Sequence, residues 1–196
     1  MRRLKSSVRG LPLVYYIAVL FGFKPEYNLY DIMASLQQPA KFSFPALIVN
    51  LLIPMGVGAL GGALTQESVK TWYLTIDKPA FTPPNWAFPT VWTTLFILIG
   101  IAAYRVWQKR QYVEHVPRVA AIYAIQLVLN LMWSFFFFYA HQIDAAFYEI
   151  LALLAMIAIN GYVFYKIDII AGLLFIPYFL WVSYATVLTY TIMRMN

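Results

Sequence analysis

The stretch DKPAFTPPNWAFPTVWTTLF, Asp77–Phe96, places four prolines and two tryptophans at the approach to a long apolar run. Pro79, Pro83 and Pro84 stop helix propagation, so the chain before Asn85 reads as a stiff, folded loop from about Thr65 to Asn85. The apolar run after it, about Trp86 to Trp107, is long enough to cross the roughly 30 Å of hydrocarbon in a bilayer. Irregular backbone beside a bilayer is tolerated only against protein or a water-filled cavity. The loop aromatics Trp72, Tyr73, Phe81 and Trp86 therefore have two readings: an interfacial belt, or the underside of a lid over a ligand cavity.

Outward from this stretch the same pattern repeats. Further spans run from about Pro45 to Leu64, Val119 to Ala140, Asp144 to Tyr165 and Ile169 to Met193, separated after the second by short breaks. The fold class is all-α, a bundle of five transmembrane helices. Composition agrees: 62% of the 196 residues are hydrophobic and 11% charged, whereas a soluble domain carries about 25% charged residues. Without cysteine there is no disulfide or thiolate chemistry, and His115 and His141 fall in different polar breaks, so no metal site is expected. The net charge of +6 sits at the ends of the apolar runs, which speaks for membrane topology and against nucleic acid.

Alternating the spans puts Arg2, Arg3, Lys5, Arg9, Lys24 and Lys41 on one side, together with Arg105, Lys109, Arg110, Arg118 and Lys166. The other side receives only Lys70, Lys78 and Arg194. The first side, with the N-terminus, is cytoplasmic if the membrane is a bacterial inner membrane; in an organellar outer membrane the rule is less secure. Residues 1–44 form an N-terminal extension with a basic start and a short apolar run, LPLVYYIAVLFGF. An interfacial anchor, a targeting segment and a short sixth span all fit it. Residues 45–196 form the membrane domain.

Inside the spans, Asn130 and Trp133 share a face of the third helix, and Trp181, Tyr184 and Ala185 recur at helical spacing on the fifth, after a proline, Pro177, expected to bend it. Packing and ligand contact both account for that spacing. Glu149 lies a turn or so inside the fourth span, where a carboxylate implies a function, a buried partner or a place near the interface. Gly58 and Gly62 in GVGALGGAL form a G-x-x-x-G pair, the basis for expecting a homodimer. Leu188, Tyr190 and Arg194 match a short sterol-contact pattern that chance often produces.

Three segments together resemble the translocator protein family, also called tryptophan-rich sensory proteins: WYLTIDKPAFTPPNWAFPTVWTTLFILIGIAAYRVW, YAIQLVLNLMWSFFFF and IPYFLWVSYATVLTYTIMRMN. The resemblance covers about Pro45 to Asn196. It implies a five-helix bundle, often dimeric, that binds porphyrin and haem and, in animal members, cholesterol. It also implies a ligand cavity beneath the first long loop, with Tyr73, Pro83, Trp92, Asn130, Trp133, Trp181 and Ala185 at the site. Some bacterial members degrade protoporphyrin in light, using tryptophans that match Trp92 and Trp181; no cofactor beyond the porphyrin ligand is expected. A transporter of tetrapyrrole or lipid is the alternative role. Phe81 after KPA, Thr189 before Tyr190 and Met195 after Arg194 depart from the family pattern, which bears on sterol binding and ligand preference more than on fold.

Overall fold

The computed structural model describes residues 42–196, so the readings made of the N-terminal extension fall almost wholly outside the described residues. Among the described residues, five helical spans are long and apolar enough to cross a membrane. They are α1 (Phe44–Lys70), α3 (Ala87–Gln108), α4 (Val116–Ser134, continued by a π-helical turn Phe135–Tyr139), α5 (Ile143–Ile167), and the pair α6 (Ile169–Leu173) and α7 (Ile176–Met195). A one-turn helix, α2 (Trp72–Thr75), follows α1. The protein is an integral, multi-pass membrane protein.

The surface confirms lipid as the surroundings. Leu52, Leu60, Ile125, Val128, Leu180 and Val187 all point outward, while Gln126, Asn130, Asn160 and Thr189 are buried inside. Polar groups in hydrocarbon must find partners within the protein, so they turn inward and the apolar faces meet the acyl chains.

Two boundaries differ from the sequence reading. α1 does not stop near Leu64 but runs on to Lys70, leaving residues 76–86 as the loop proper. Hydropathy marks where lipid ends, not where a helix ends. Past that limit hydroxyls bond back to the preceding turn, Thr65 Oγ1 to the Gly61 carbonyl at 2.7 Å and Thr71 Oγ1 to the Glu67 carbonyl at 2.9 Å. The fifth span is not one bent helix: it breaks at Leu174–Phe175, and Pro177 lies in the first turn of α7. A missing N–H is harmless in a first turn, so the proline starts this helix instead of kinking it.

In the bundle α1 packs against α3 and α4, α4 against α5, and α5 against α7. α1 and α3 come close at Gly100, where an added Cβ would lie 2.9 Å from the Asn50 carbonyl oxygen. α3 and α7 meet through rings, Trp92 on Tyr178 at 6.2 Å between centroids and Phe88 on Trp181 at 6.0 Å. At the face that the sequence makes positive, Asp168 joins α3 to the α5–α6 corner. It accepts from Arg105 Nε at 2.7 Å and Nη2 at 3.0 Å, pairs with Lys109 Nζ at 2.9 Å, and caps α6 through the Ala171 N–H at 2.8 Å.

Burial acts to raise Asp168, but the hydrogen bonds from Arg105, Lys109 and Ala171 and the charge of Lys109 outweigh it and hold the carboxyl at about 2. Because that lies below the ordinary 3.8, the stabilisation is complete above that value and fades as pH falls toward about 2. Asp168→Asn should lower stability by about 1–3 kcal/mol at neutral pH, read as thermal unfolding in detergent. The gap to wild type should narrow as pH falls through the same window.

Candidate functional site

Small residues on α1 face large ones on α3 and α4, and the mismatch leaves a cavity of about 560 Å³. α1 contributes Met55, Gly58, Gly62, Gln66 and Lys70; α3 contributes Phe88, Trp92 and Phe96; α4 contributes Asn130 and Trp133. Tyr73 of α2 and Phe138 of the π turn close one end. Gly58 is required by the close approach of α3, since an added Cβ would collide with the Phe96 ring. The two indoles are braced by neighbouring rings: Trp92 stacks on Phe96 at 5.6 Å and Trp133 on Phe137 at 5.4 Å. Aromatic walls held this way present flat faces at little cost in side-chain entropy.

Loop 76–86 runs at the same end as Tyr73 and is tied down at several points. Lys78 Nζ donates to the carbonyls of Tyr73 at 2.6 Å and Ile76 at 2.9 Å and lies 4.9 Å from the centre of the Tyr73 ring. Tyr184 of α7 donates to the Phe81 carbonyl at 2.6 Å. Asn196 clasps Asp77 twice, accepting from its N–H at 3.0 Å and donating to its carbonyl at 3.1 Å. Burial, with Tyr184 as the lesser contributor, pushes the Tyr73 phenol above its ordinary value, so it stays neutral beside the ligand space. Beneath α2, Trp72 stacks on His141 at 4.2 Å, and Ser68 Oγ lies 3.0 Å from His141 Nε2. His141 has φ 55°, a left-handed conformation that turns the chain sharply between α4 and α5.

Behind the cavity the interior is polar. The Tyr178 hydroxyl accepts from Gln126 Nε2 at 2.7 Å and Asn130 Nδ2 at 2.9 Å, linking α4 to α7 in the middle of the bundle. The indole N–H groups of Trp133 and Trp181 are buried and without a hydrogen-bond partner.

Of the residues that the sequence pointed to, Tyr73, Trp92, Asn130 and Trp133 line this one cavity. Pro83 is half-buried in the loop and forms no part of the wall. Trp181 and Ala185 are also outside the wall: Trp181 packs on Phe88 and, at 5.8 Å, on Tyr184, and Ala185 is buried on α7. Gly58 and Gly62 both border the cavity, Gly62 with open space where a side chain would be. Leu188 is buried whereas Tyr190 and Arg194 are exposed, so the three do not form one patch. The sequence reading missed the contribution of α1. The run Gly58, Ala59, Gly61, Gly62 was the available signal, because small residues make room for a ligand as readily as for a second helix.

Tyr178→Phe should cost about 1 kcal/mol, since it strands two amides, although interhelical hydrogen bonds in membranes average only about 0.6 kcal/mol each. Thermal unfolding of the detergent-solubilised protein measures it. In the double variant Tyr184→Phe, Asn196→Ala, backbone amides of residues 76–86 should exchange hydrogen several-fold faster, with helix-core amides unchanged.

Comparison with known proteins bears on the family. The model of the TspO/MBR family matches residues 50–195. Over 151 residues the chain is 37% identical to the tryptophan-rich protein TspO of Archaeoglobus fulgidus, covering 76% of this chain and 96% of that protein. It is 35% identical to the tryptophan-rich sensory protein of Cereibacter sphaeroides, covering 77% of this chain and 92% of that protein. It is 32% identical to the human translocator protein, covering 78% and 90%. The chain therefore belongs to the TspO/MBR family.

Proposed function

We propose that this protein is a membrane receptor or sensor that holds a flat, largely apolar ligand, a porphyrin such as protoporphyrin IX or haem, in the cavity between α1, α3 and α4. The observation that carries this reading is the pair of braced indoles, Trp92 and Trp133, facing a space of about 560 Å³. That volume lies inside the roughly 300–1,000 Å³ range of small-molecule sites. Asn130, Gln66 and Lys70 supply polar contacts in a wall that is mostly apolar, and Lys70 suits an acidic substituent. A sterol is a second apolar ligand of suitable class, and a homodimer remains the proposed assembly.

Light-driven porphyrin breakdown is proposed to begin at Trp92, which borders the ligand space, with Trp181 taking part from its place behind Phe88. Transport of the same ligand is the second reading. It is favoured by the break between α6 and α7, a discontinuity of the kind that lets part of a span move, and by relatives named translocator protein.

Titration of purified protein with protoporphyrin IX should quench tryptophan fluorescence saturably in the dark. Trp92→Phe should reduce that quenching more than Trp181→Phe does, because only Trp92 faces the cavity. Loss of porphyrin absorbance under light in wild type, slowed at least several-fold in Trp92→Phe, would establish breakdown; net uptake into liposomes would establish transport. Ala185→Thr should overpack α7 by about 1–3 kcal/mol while leaving porphyrin affinity within two- to three-fold of wild type.

A further inference from the structure

Glu149 is a buried carboxyl that neither the cavity wall nor the clamp at Asp168 uses. It lies in the second turn of α5, is 8% exposed, and neither of its oxygens has a hydrogen-bond partner among the described residues. α3, α4, the π turn, α6 and α7 pack against α5. The titratable side chains that these elements bury wholly or in part are Tyr104 of α3, Tyr123 of α4, and Tyr178 and Tyr184 of α7, none of them a cation. Arg118, Lys166 and Arg194 are exposed at helix ends, Tyr139 and Tyr190 are exposed, and Arg105 and Lys109 are committed to Asp168. Among the described residues an ionised Glu149 thus has no counter-charge, and a carboxylate in hydrocarbon needs one.

From the cavity wall a hydrogen bond leads inward, from Asn130 to Tyr178. A phenol oxygen has two acceptor positions, and those of Tyr178 are filled by Gln126 and Asn130. Its O–H is left to serve another group, and α7, which carries Tyr178, packs against α5, which carries Glu149. Asn130 is shared: it donates to Tyr178 and also borders the cavity.

We propose that Glu149 is an intramembrane proton-binding site whose occupancy is linked, through Tyr178 and Asn130, to the ligand in the cavity. This rests on the cavity being a ligand site. Hydrogen bonds in a chain reinforce one another, so two N–H donors on its oxygen make the Tyr178 O–H a stronger donor toward an ionised Glu149. A ligand that takes the Asn130 amide removes one of them. The ionised form loses support, and a proton from the bulk is taken up on a carboxyl oxygen.

The test is calorimetric titration of the solubilised full chain with protoporphyrin IX in two buffers of different ionisation enthalpy, which counts protons exchanged per ligand. The acidic groups of the porphyrin contribute alike to every variant, so the readout is the difference between wild type and Glu149→Gln. Greater uptake in wild type at some pH between about 5 and 9, with that excess reduced or absent in Tyr178→Phe, is expected. Equal proton counts in wild type and Glu149→Gln, with both binding porphyrin, would overturn the linkage. Infrared spectra of the ligand-free protein supply a second arm: a carboxylic C=O band present in wild type, absent in Glu149→Gln and titrating with pH supports the site, and its absence at every pH overturns it. Should Glu149→Gln fail to fold, a shift of that band in Glu149→Asp replaces the subtraction. No saturable porphyrin binding to wild type would count against the cavity as a porphyrin site and leave the proton site to the infrared band alone.

Discussion

In hydrocarbon, a leucine packed on another helix gains little over a leucine packed on lipid, so contacts other than apolar burial have to hold this bundle together. Close approach of backbones and inward polar bonds do so. Gly100 brings α1 and α3 together, Tyr178 with Gln126 and Asn130 joins α7 to α4, and Asp168 with Arg105 and Lys109 fastens α3 to the α5–α6 corner. The cavity depends on all three, because it is the space left where small residues of α1 meet indoles that the other helices keep in place.

The two ends of the bundle are built differently. At the positive face a charged clamp sits around a helix N-terminus, and charge-assisted hydrogen bonds make such a joint stiff. At the opposite end Lys78 ties the loop locally to Tyr73 and Ile76, but the loop's bonds to α7 and the C-terminus, from Tyr184 and Asn196, are neutral, exposed and weaker. Motion that admits a ligand is therefore expected at the loop end. Asn130 couples the two halves of the interior, since it borders the cavity and donates to the residue that joins α4 and α7.

The range of the forces involved sets how much was legible along the chain. Span number and membrane environment rest on local hydropathy, and the family on residue identity, so all were readable from the sequence. That Asn130 and Trp133 share a face was readable from helical periodicity, whereas Trp92 came from the family resemblance; all three line the cavity. The end of α1 at Lys70 was not readable, because Thr65 and Thr71 satisfy backbone carbonyls beyond the lipid limit and polarity there resembles a loop. Pro177 looked like a kink because its meaning depends on whether a helix is already under way.

By itself the sequence determined a five-span, all-α membrane protein with one strongly basic side and a proline-stiffened loop before the second span, since each of these is set by neighbours in the chain. Only the tertiary structure decided that Gly58 and Gly62 border a cavity, that Trp181 and Ala185 stand behind its wall, and that Leu188 turns away from Tyr190 and Arg194. It also decided that Glu149 has no hydrogen-bond partner among the described residues. These are relations between helices distant in sequence, and their azimuths are set by close backbone approach and interhelical hydrogen bonds that no local pattern encodes.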